Sequence, residues 1–165
     1  MKKIFLAVAV VITLTGFGQG RVSPHDTVSM KNVSVTYGRP YKNGRVIFGE
    51  LEKFGKVWRL GADEATTITF SKNTKFGDTE IPSGTYTMFA IPGEAEWTII
   101  LNSQLGQWGA YSYEKHQAKN VARINTPVKK LPAPVEQLTI RFDKDKTMII
   151  EWDQTQVELT VKPND

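Results

Sequence analysis

No cysteine occurs anywhere in the chain, and this absence removes thiol nucleophiles, zinc–thiolate sites, iron–sulfur clusters and stabilising disulfides together. It also excludes a lipid-modified lipoprotein, whose anchor is a cysteine directly after the apolar leader. Histidine is nearly absent. His25 and His116 are the two present, and neither stands near a carboxylate pattern, so no histidine-rich metal site and no Ser-His-Asp triad is expected. Asp143-Lys144-Asp145 is interrupted by lysine and makes a turn more simply than a calcium site. No metal ion and no cofactor is called for. Charge of one sign is lacking too: 21 Lys and Arg against 17 Asp and Glu give a formal net charge of +4. The basic residues are scattered among acids, which is no footprint for nucleic acid. Outside the N-terminal segment no window spaces its apolar residues at helical period, so helix content should be low.

What the chain does have begins with Met1, Lys2 and Lys3, an apolar run from Ile4 to Leu14, and small residues at Gly16 and Gly18. That order is the basic start, apolar core and cleavage pattern of a secretory signal peptide, residues 1–18, with cleavage expected after Gly18. The run is shorter than the about 20 residues a membrane-spanning helix needs, and no second one follows. Residues 19–165 are therefore expected to be a soluble protein of the periplasm or cell envelope with no transmembrane segment. Loss of Lys2 and Lys3 brings the net charge to about +2. What remains is one domain's worth of chain, enough to bury a core without disulfides.

Alternation and turn chemistry divide that domain into strands. Residues 28–37 read as one strand or a bent pair, with a change of phase near Lys31-Asn32 that marks a bulge or a turn. Asn43-Gly44 marks a tight turn before the apolar piece 46–48. Candidate elements 57–60 and 66–70 follow, separated by Gly61-Ala62-Asp63-Glu64, the second rich in β-branched residues. Residues 85–91 and 97–101 read as hairpin partners. Segments 118–126, 136–142, 147–152 and 156–161 complete the series, with residues 143–146 and Asp153-Gln154 as polar turns. About nine to eleven short strands with very little helix predict an all-β fold, a single antiparallel β-sandwich, jelly-roll-like or barrel-like, over residues 19–165.

Three constellations carry chemistry, and the stretch 56–70, KVWRLGADEATTITF, holds most of it. Arg39, Arg45 and Arg59 stand beside tyrosine, a turn and tryptophan. A guanidinium is a planar fork that grips carboxylates or phosphates and stacks on rings, so the three suit an anion or sugar cradle. The alternative is that they pair with Asp63 and Glu64 to tie loops to the sandwich edge, and an arginine without a protein partner would decide for the cradle. Asp63-Glu64 is the second constellation. Neighbours on a strand point to opposite faces, so the two can work as acid and base only from a loop after Gly61. Glu64 is the one candidate for catalysis. The third is Gln107-Trp108-Gly109-Ala110-Tyr111, where Trp108 and Tyr111 offer a stacking face. Trp97, Trp152 and Phe89 are expected in the core; Trp108 is open to either fate.

Together these motifs resemble the bacterial domain-of-unknown-function family 2911. The matching residues are Ser23-Pro24, Tyr37-Gly38-Arg39-Pro40, Gly44-Arg45, Ile47-Phe48-Gly49, Trp58-Arg59, Gly61-Ala62 and Glu64-Ala65-Thr66. They continue through Gly84-Thr85-Tyr86, Ile91-Pro92, residues 97–102 and residues 107–111. The resemblance implies a secreted, β-rich protein and carries no activity with it. Gly38 stands where serine is usual in the family, Leu60 where threonine is usual, and Asp63 where asparagine is usual.

The expected function is a secreted or periplasmic module that binds a small polar ligand, anionic or polyhydroxy, through Arg39, Arg45, Arg59, Asp63, Glu64, Trp108 and Tyr111. The alternatives are a metal-independent hydrolase, with Glu64 as acid or base and Arg59 stabilising developing charge, and an envelope structural or interaction protein with a protein partner and no small-molecule site. A raised Glu64 pKa without a bidentate arginine would favour the hydrolase.

Overall fold

The computed structural model of the chain describes residues 20–164, so the predicted signal peptide lies outside the described residues. Ten strands run in order: β1 (His25–Met30), β2 (Val33–Gly38), β3 (Thr67–Phe70), β4 (Thr74–Phe76), β5 (Thr79–Ile81), β6 (Gly84–Ile91), β7 (Glu96–Asn102), β8 (Asn120–Pro127), β9 (Lys129–Phe142) and β10 (Thr147–Pro163). A single helical turn, α1 (Tyr113–His116), continues into a 3-10 turn at Gln117–Lys119. The strands form a six-stranded sheet in the order β1-β2-β3-β6-β7-β8 and a four-stranded sheet in the order β5-β4-β10-β9. Every pairing between them is antiparallel. The architecture is the expected sandwich rather than a closed barrel.

Each sheet turns one face inward, and the alternation is visible strand by strand. Val33, Val35 and Tyr37 of β2 are buried together with Ala122, Ile124 and Thr126 of β8, while Thr36 and Arg123 between them are exposed. The Tyr37 hydroxyl crosses the core to β9, accepting from the Ile140 amide at 2.8 Å and donating to its carbonyl at 3.3 Å. Trp97 and Trp152 are core, as expected, and Phe48 lies edge-on to them and to Trp58, with ring centroids 4.8 to 6.2 Å away.

β6 departs from simple alternation because it is buried on both faces. Met88 and Ala90 join the main core, whereas Phe89 packs with Ala65, Ile100 and Tyr113 in a second, smaller cluster. Opposite faces of one strand thus serve two cores. The segment carrying α1 and the end of the β2–β3 connection cover the outer face of the large sheet.

Several boundaries differ from the sequence reading, each for a local reason. At Lys31-Asn32, where the sequence left a bulge or a turn open, the structure has a hairpin turn, with Met30 paired to Val33 and Asn32 at φ 69°, a conformation asparagine tolerates. Residues 46–48 and 57–60 are not strands. Ile47, Trp58 and Leu60 are buried in the core, but only isolated bridges such as Trp58 to Ala90 pair their backbone. Their apolar character reflects plugging of the core rather than membership of a sheet. Asp153-Gln154 is no turn: β10 runs straight through it, with register shifts on either side of Asp153 and φ 52° at that residue. A bulge absorbs the polar pair inside one long strand. β9 begins earlier than read, at Lys129, because Pro132 and Pro134 are tolerated on the edge of the four-stranded sheet.

Candidate functional site

The connection between β2 and β3, residues 39–66, builds the site. Its two ends touch. A Cβ on Gly38 would lie 2.3 Å from the Ala62 carbonyl oxygen, and one on Gly61 would lie 3.0 Å from the Gly38 oxygen. Leu60 and Asp63 take left-handed backbone at φ 53° and 62°. The turn is tied by side chains: the Thr66 hydroxyl donates to the Leu60 carbonyl at 2.7 Å, while the Gly61 carbonyl accepts from Trp58 Nε1 at 3.3 Å and Arg59 Nε at 3.2 Å.

That last bond aims Arg59. Its Nε is engaged, whereas its terminal nitrogens have no hydrogen-bond partner and the residue forms no ion pair among the described residues. The guanidinium lies against Gly109, where an added Cβ would stand 3.2 Å from one terminal nitrogen and 2.7 Å from the Tyr111 ring. Glycine at φ 62° leaves room for both.

Arg59 and Glu52 line two adjoining cavities. The larger, about 530 Å³, is also bounded by Arg45, Asp63 and Trp152, with Val22, Ser23 and Pro24 forming part of its wall. The smaller, about 300 Å³, opens between Trp58, Ala110 and the exposed ring of Tyr111. Glu52 comes from a loop tightened by two backbone bonds, from its own amide to the Ile47 carbonyl and from the Gly49 amide to its carbonyl, both 2.9 Å. Burial pushes the Glu52 carboxyl up to about 7, against the opposing charges of Arg59 and Arg45. The larger cavity thus brings together two arginines, Asp63 and a Glu52 carboxyl that is only partly ionised near neutral pH.

The other predicted residues take different positions. Arg45 is exposed, with Nε donating to the Lys42 carbonyl at 2.9 Å and a terminal nitrogen to the Tyr41 carbonyl. Arg39 is a latch between the sheets. It pairs with Asp26 at 3.2 Å, donates to the Leu138 carbonyl and the Thr139 hydroxyl on β9, and stacks over Tyr37 with its Cζ 5.9 Å from the ring centre. Asp63 and Glu64 do lie in a loop, but neither pairs with Arg39, Arg45 or Arg59. Buried Asp63 accepts the amides of Val22 and Ser23 at 3.2 and 3.1 Å. Glu64 receives Arg21 Nε on both oxygens at 2.9 and 3.1 Å, and His25 Nε2 lies 3.1 Å from it. These two acids clamp the segment that precedes β1. Desolvation would raise the Glu64 carboxyl, but its own amide, the Arg21 hydrogen bond and the charges of Arg21 and His25 outweigh that and hold it below the usual carboxylate value.

Trp108 enters through its backbone. Residues 107–109 run beside 63–65, with the Ala65 amide donating to the Gln107 carbonyl at 2.9 Å and the Gly109 amide to the Asp63 carbonyl at 3.0 Å. The half-buried residue Trp108 lines neither of the two cavities; Tyr111 supplies the aromatic edge of the smaller one, and Tyr41 and Trp152 line the larger. The structure therefore brings Arg45, Arg59, Asp63 and Tyr111 to the paired cavities and leaves Arg39, Glu64 and Trp108 outside them. Sequence reasoning missed Glu52, which shares no motif with Arg59. It also missed the neighbours of His25, which are 38 and 39 residues away in the chain.

The fold and site together define a class: an antiparallel sandwich whose longest interstrand connection folds back to build an arginine-lined cavity beside its aromatic core. The chain belongs to the family described as Protein of unknown function (DUF2911), whose model matches residues 21–161. No curated protein matches the chain, and neither does any solved structure. The matched span takes in every residue of the two cavities.

Proposed function

We propose that this protein is a binding module for a small anionic ligand, acting in the periplasm or cell envelope after removal of residues 1–18. The observation that carries this reading is Arg59. Its Nε is fixed by the Gly61 carbonyl, the residue lines both cavities, and its terminal nitrogens form no hydrogen bond or ion pair among the described residues. A guanidinium so held is pre-organised for a carboxylate or phosphate. Arg45 adds a second positive charge at the exposed rim. Glu52, partly protonated near neutral pH, repels an anion less than an ordinary carboxylate and can donate its proton to a ligand oxygen. Trp152 gives an apolar wall and Tyr111 an open stacking edge.

Thermal melting tests the proposal. Wild type and Arg59→Ala are melted against inorganic phosphate, short carboxylates, amino acids and neutral sugars. A ligand at a hundredfold excess over its dissociation constant adds about 2.7 kcal/mol, roughly 10 °C for a domain of this size. Anions are expected to raise the melting point of wild type and not of Arg59→Ala. Equal shifts with anions in both proteins, or no shift of wild type with any anion, would reject the reading.

A hydrolase is the second reading, and it moves from Glu64 to Glu52. A carboxyl near 7 beside an arginine has the proton affinity that general acid–base work needs, whereas Glu64 is held low by Arg21. Turnover of a bound anion that disappears in Glu52→Gln while binding persists would favour it.

A further inference from the structure

A third cavity, about 390 Å³, lies away from the arginines and shares none of their lining residues. Phe48, Phe54 and Trp97 form its apolar side. Among the described residues, Nε1 of Trp97 is the one buried side-chain polar atom with no hydrogen-bond partner. An unpaired buried donor is destabilising and is normally answered by an acceptor.

The opposite wall is equally unusual. Asp153, Gln154 and Thr155 all line the cavity, although neighbours on a regular strand point to opposite faces. The bulge in β10 makes this possible. Register is lost on both sides of Asp153, whose φ of 52° breaks the alternation, and three consecutive polar residues line one cavity. Lys42 holds one Asp153 oxygen at 3.5 Å, leaving the carboxylate further capacity to accept.

We propose that this cavity is a second binding site, and that it takes a neutral polyhydroxy ligand, a single pyranose ring. The lining selects that chemistry. No arginine lines the cavity, and its one cation, Lys130, stands against the two acids Glu94 and Asp153, so the wall offers an anion no surplus of positive charge. The ligand must accept from an indole N–H and donate to a carboxylate, and a sugar hydroxyl does both. The apolar face of a pyranose also packs on aromatic rings such as Phe48 and Phe54. Nε1 is covered by neighbouring atoms, so a ligand oxygen reaches it when a lining side chain shifts. Phe54, 40% exposed on the loop after Gly49, is the exposed ring of the lining.

The test follows the indole N–H signals of the four tryptophans by NMR, with Trp97 assigned from Trp97→Phe. Methyl glucoside, methyl galactoside, methyl mannoside and N-acetylglucosamine are titrated to about 100 mM, enough to saturate a millimolar site. At least one sugar is expected to move the Trp97 signal saturably and more than the other three, and inorganic phosphate is expected to leave it in place. Asp153→Gly removes the carboxylate while suiting the left-handed backbone, and is expected to weaken binding at least tenfold. Gln154→Ala, an exposed substitution, is expected to weaken it in a variant whose fold is not at risk. No saturable shift with any of the sugars, the same shift with phosphate, or undiminished binding in both variants overturns the proposal.

Discussion

Replacing Glu52 with glutamine should remove a pH dependence of stability that the wild-type chain carries. Glu52 rises from an ordinary carboxylate value of 4.5 to about 7 on folding, chiefly through burial. The native state then holds its proton more tightly than the unfolded chain, so this group favours folding below the unfolded value and the benefit is lost as pH climbs through about 7. A shift of one pKa unit corresponds to about 1.4 kcal/mol, and integration between pH 5 and pH 8 gives about 2.5 kcal/mol. Partial exposure of the residue and solvent screening reduce this to roughly 2 kcal/mol. Glutamine mimics the protonated form and has nothing to lose. Urea unfolding at the two pH values reads the difference, which is on the order of 1 M in the midpoint. Wild type should be the less stable of the pair at pH 8 and close to Glu52→Gln at pH 5. Parallel pH profiles for the two proteins would refute the placement of Glu52 in a desolvated cavity.

Substitutions at three further positions probe the scaffold around the site. Tyr37→Phe strips the hydroxyl from the buried amide and carbonyl of Ile140 and should destabilise by about 1 to 3 kcal/mol in the same urea assay, with no change in ligand response. Gly38→Ser places a Cβ 2.3 Å from the Ala62 oxygen, so it should destabilise by roughly 2 kcal/mol or more and weaken anion binding by shifting the turn that aims Arg59. Asp63→Ala loses the acceptor for two amides and also puts alanine at φ 62°, whereas Asp63→Gly loses only the acceptor. Both variants should speed proteolysis of residues 20–24, and alanine should melt below glycine.

Most of the sheet structure was legible in the sequence because its signal is local. Period-two alternation in β8 and the β-branched composition of β3 depend on neighbours one or two positions away. The long connection was not legible for the complementary reason. Ile47, Trp58 and Leu60 carry strand-like character because they are buried, and burial comes from side chains far along the chain. The long β10 was read as two strands, since a polar pair that absorbs a bulge looks the same in sequence as a polar turn. Of the residues chosen for their chemistry, Arg45, Arg59, Asp63 and Tyr111 line the paired cavities. Glu52 was not among those chosen, because an acid in an exposed-looking loop acquires its meaning from what covers it. The carboxylates were expected to answer the arginines of the motif, but Glu64 answers Arg21 and His25, and Asp63 answers backbone amides. Nothing local to Asp63-Glu64 distinguishes those partners.

The central claim is that Arg59, held by Gly61 and lacking a carboxylate partner among the described residues, waits for an anion. Its most direct test is a backbone and guanidinium NMR titration of the chain from residue 19 with inorganic phosphate and a panel of small carboxylates. The account predicts saturable shifts centred on Arg45, Glu52 and Arg59 that vanish in Arg59→Ala. Shifts spread over surface lysines without saturation, or none at the Arg59 guanidinium with any anion, would contradict it.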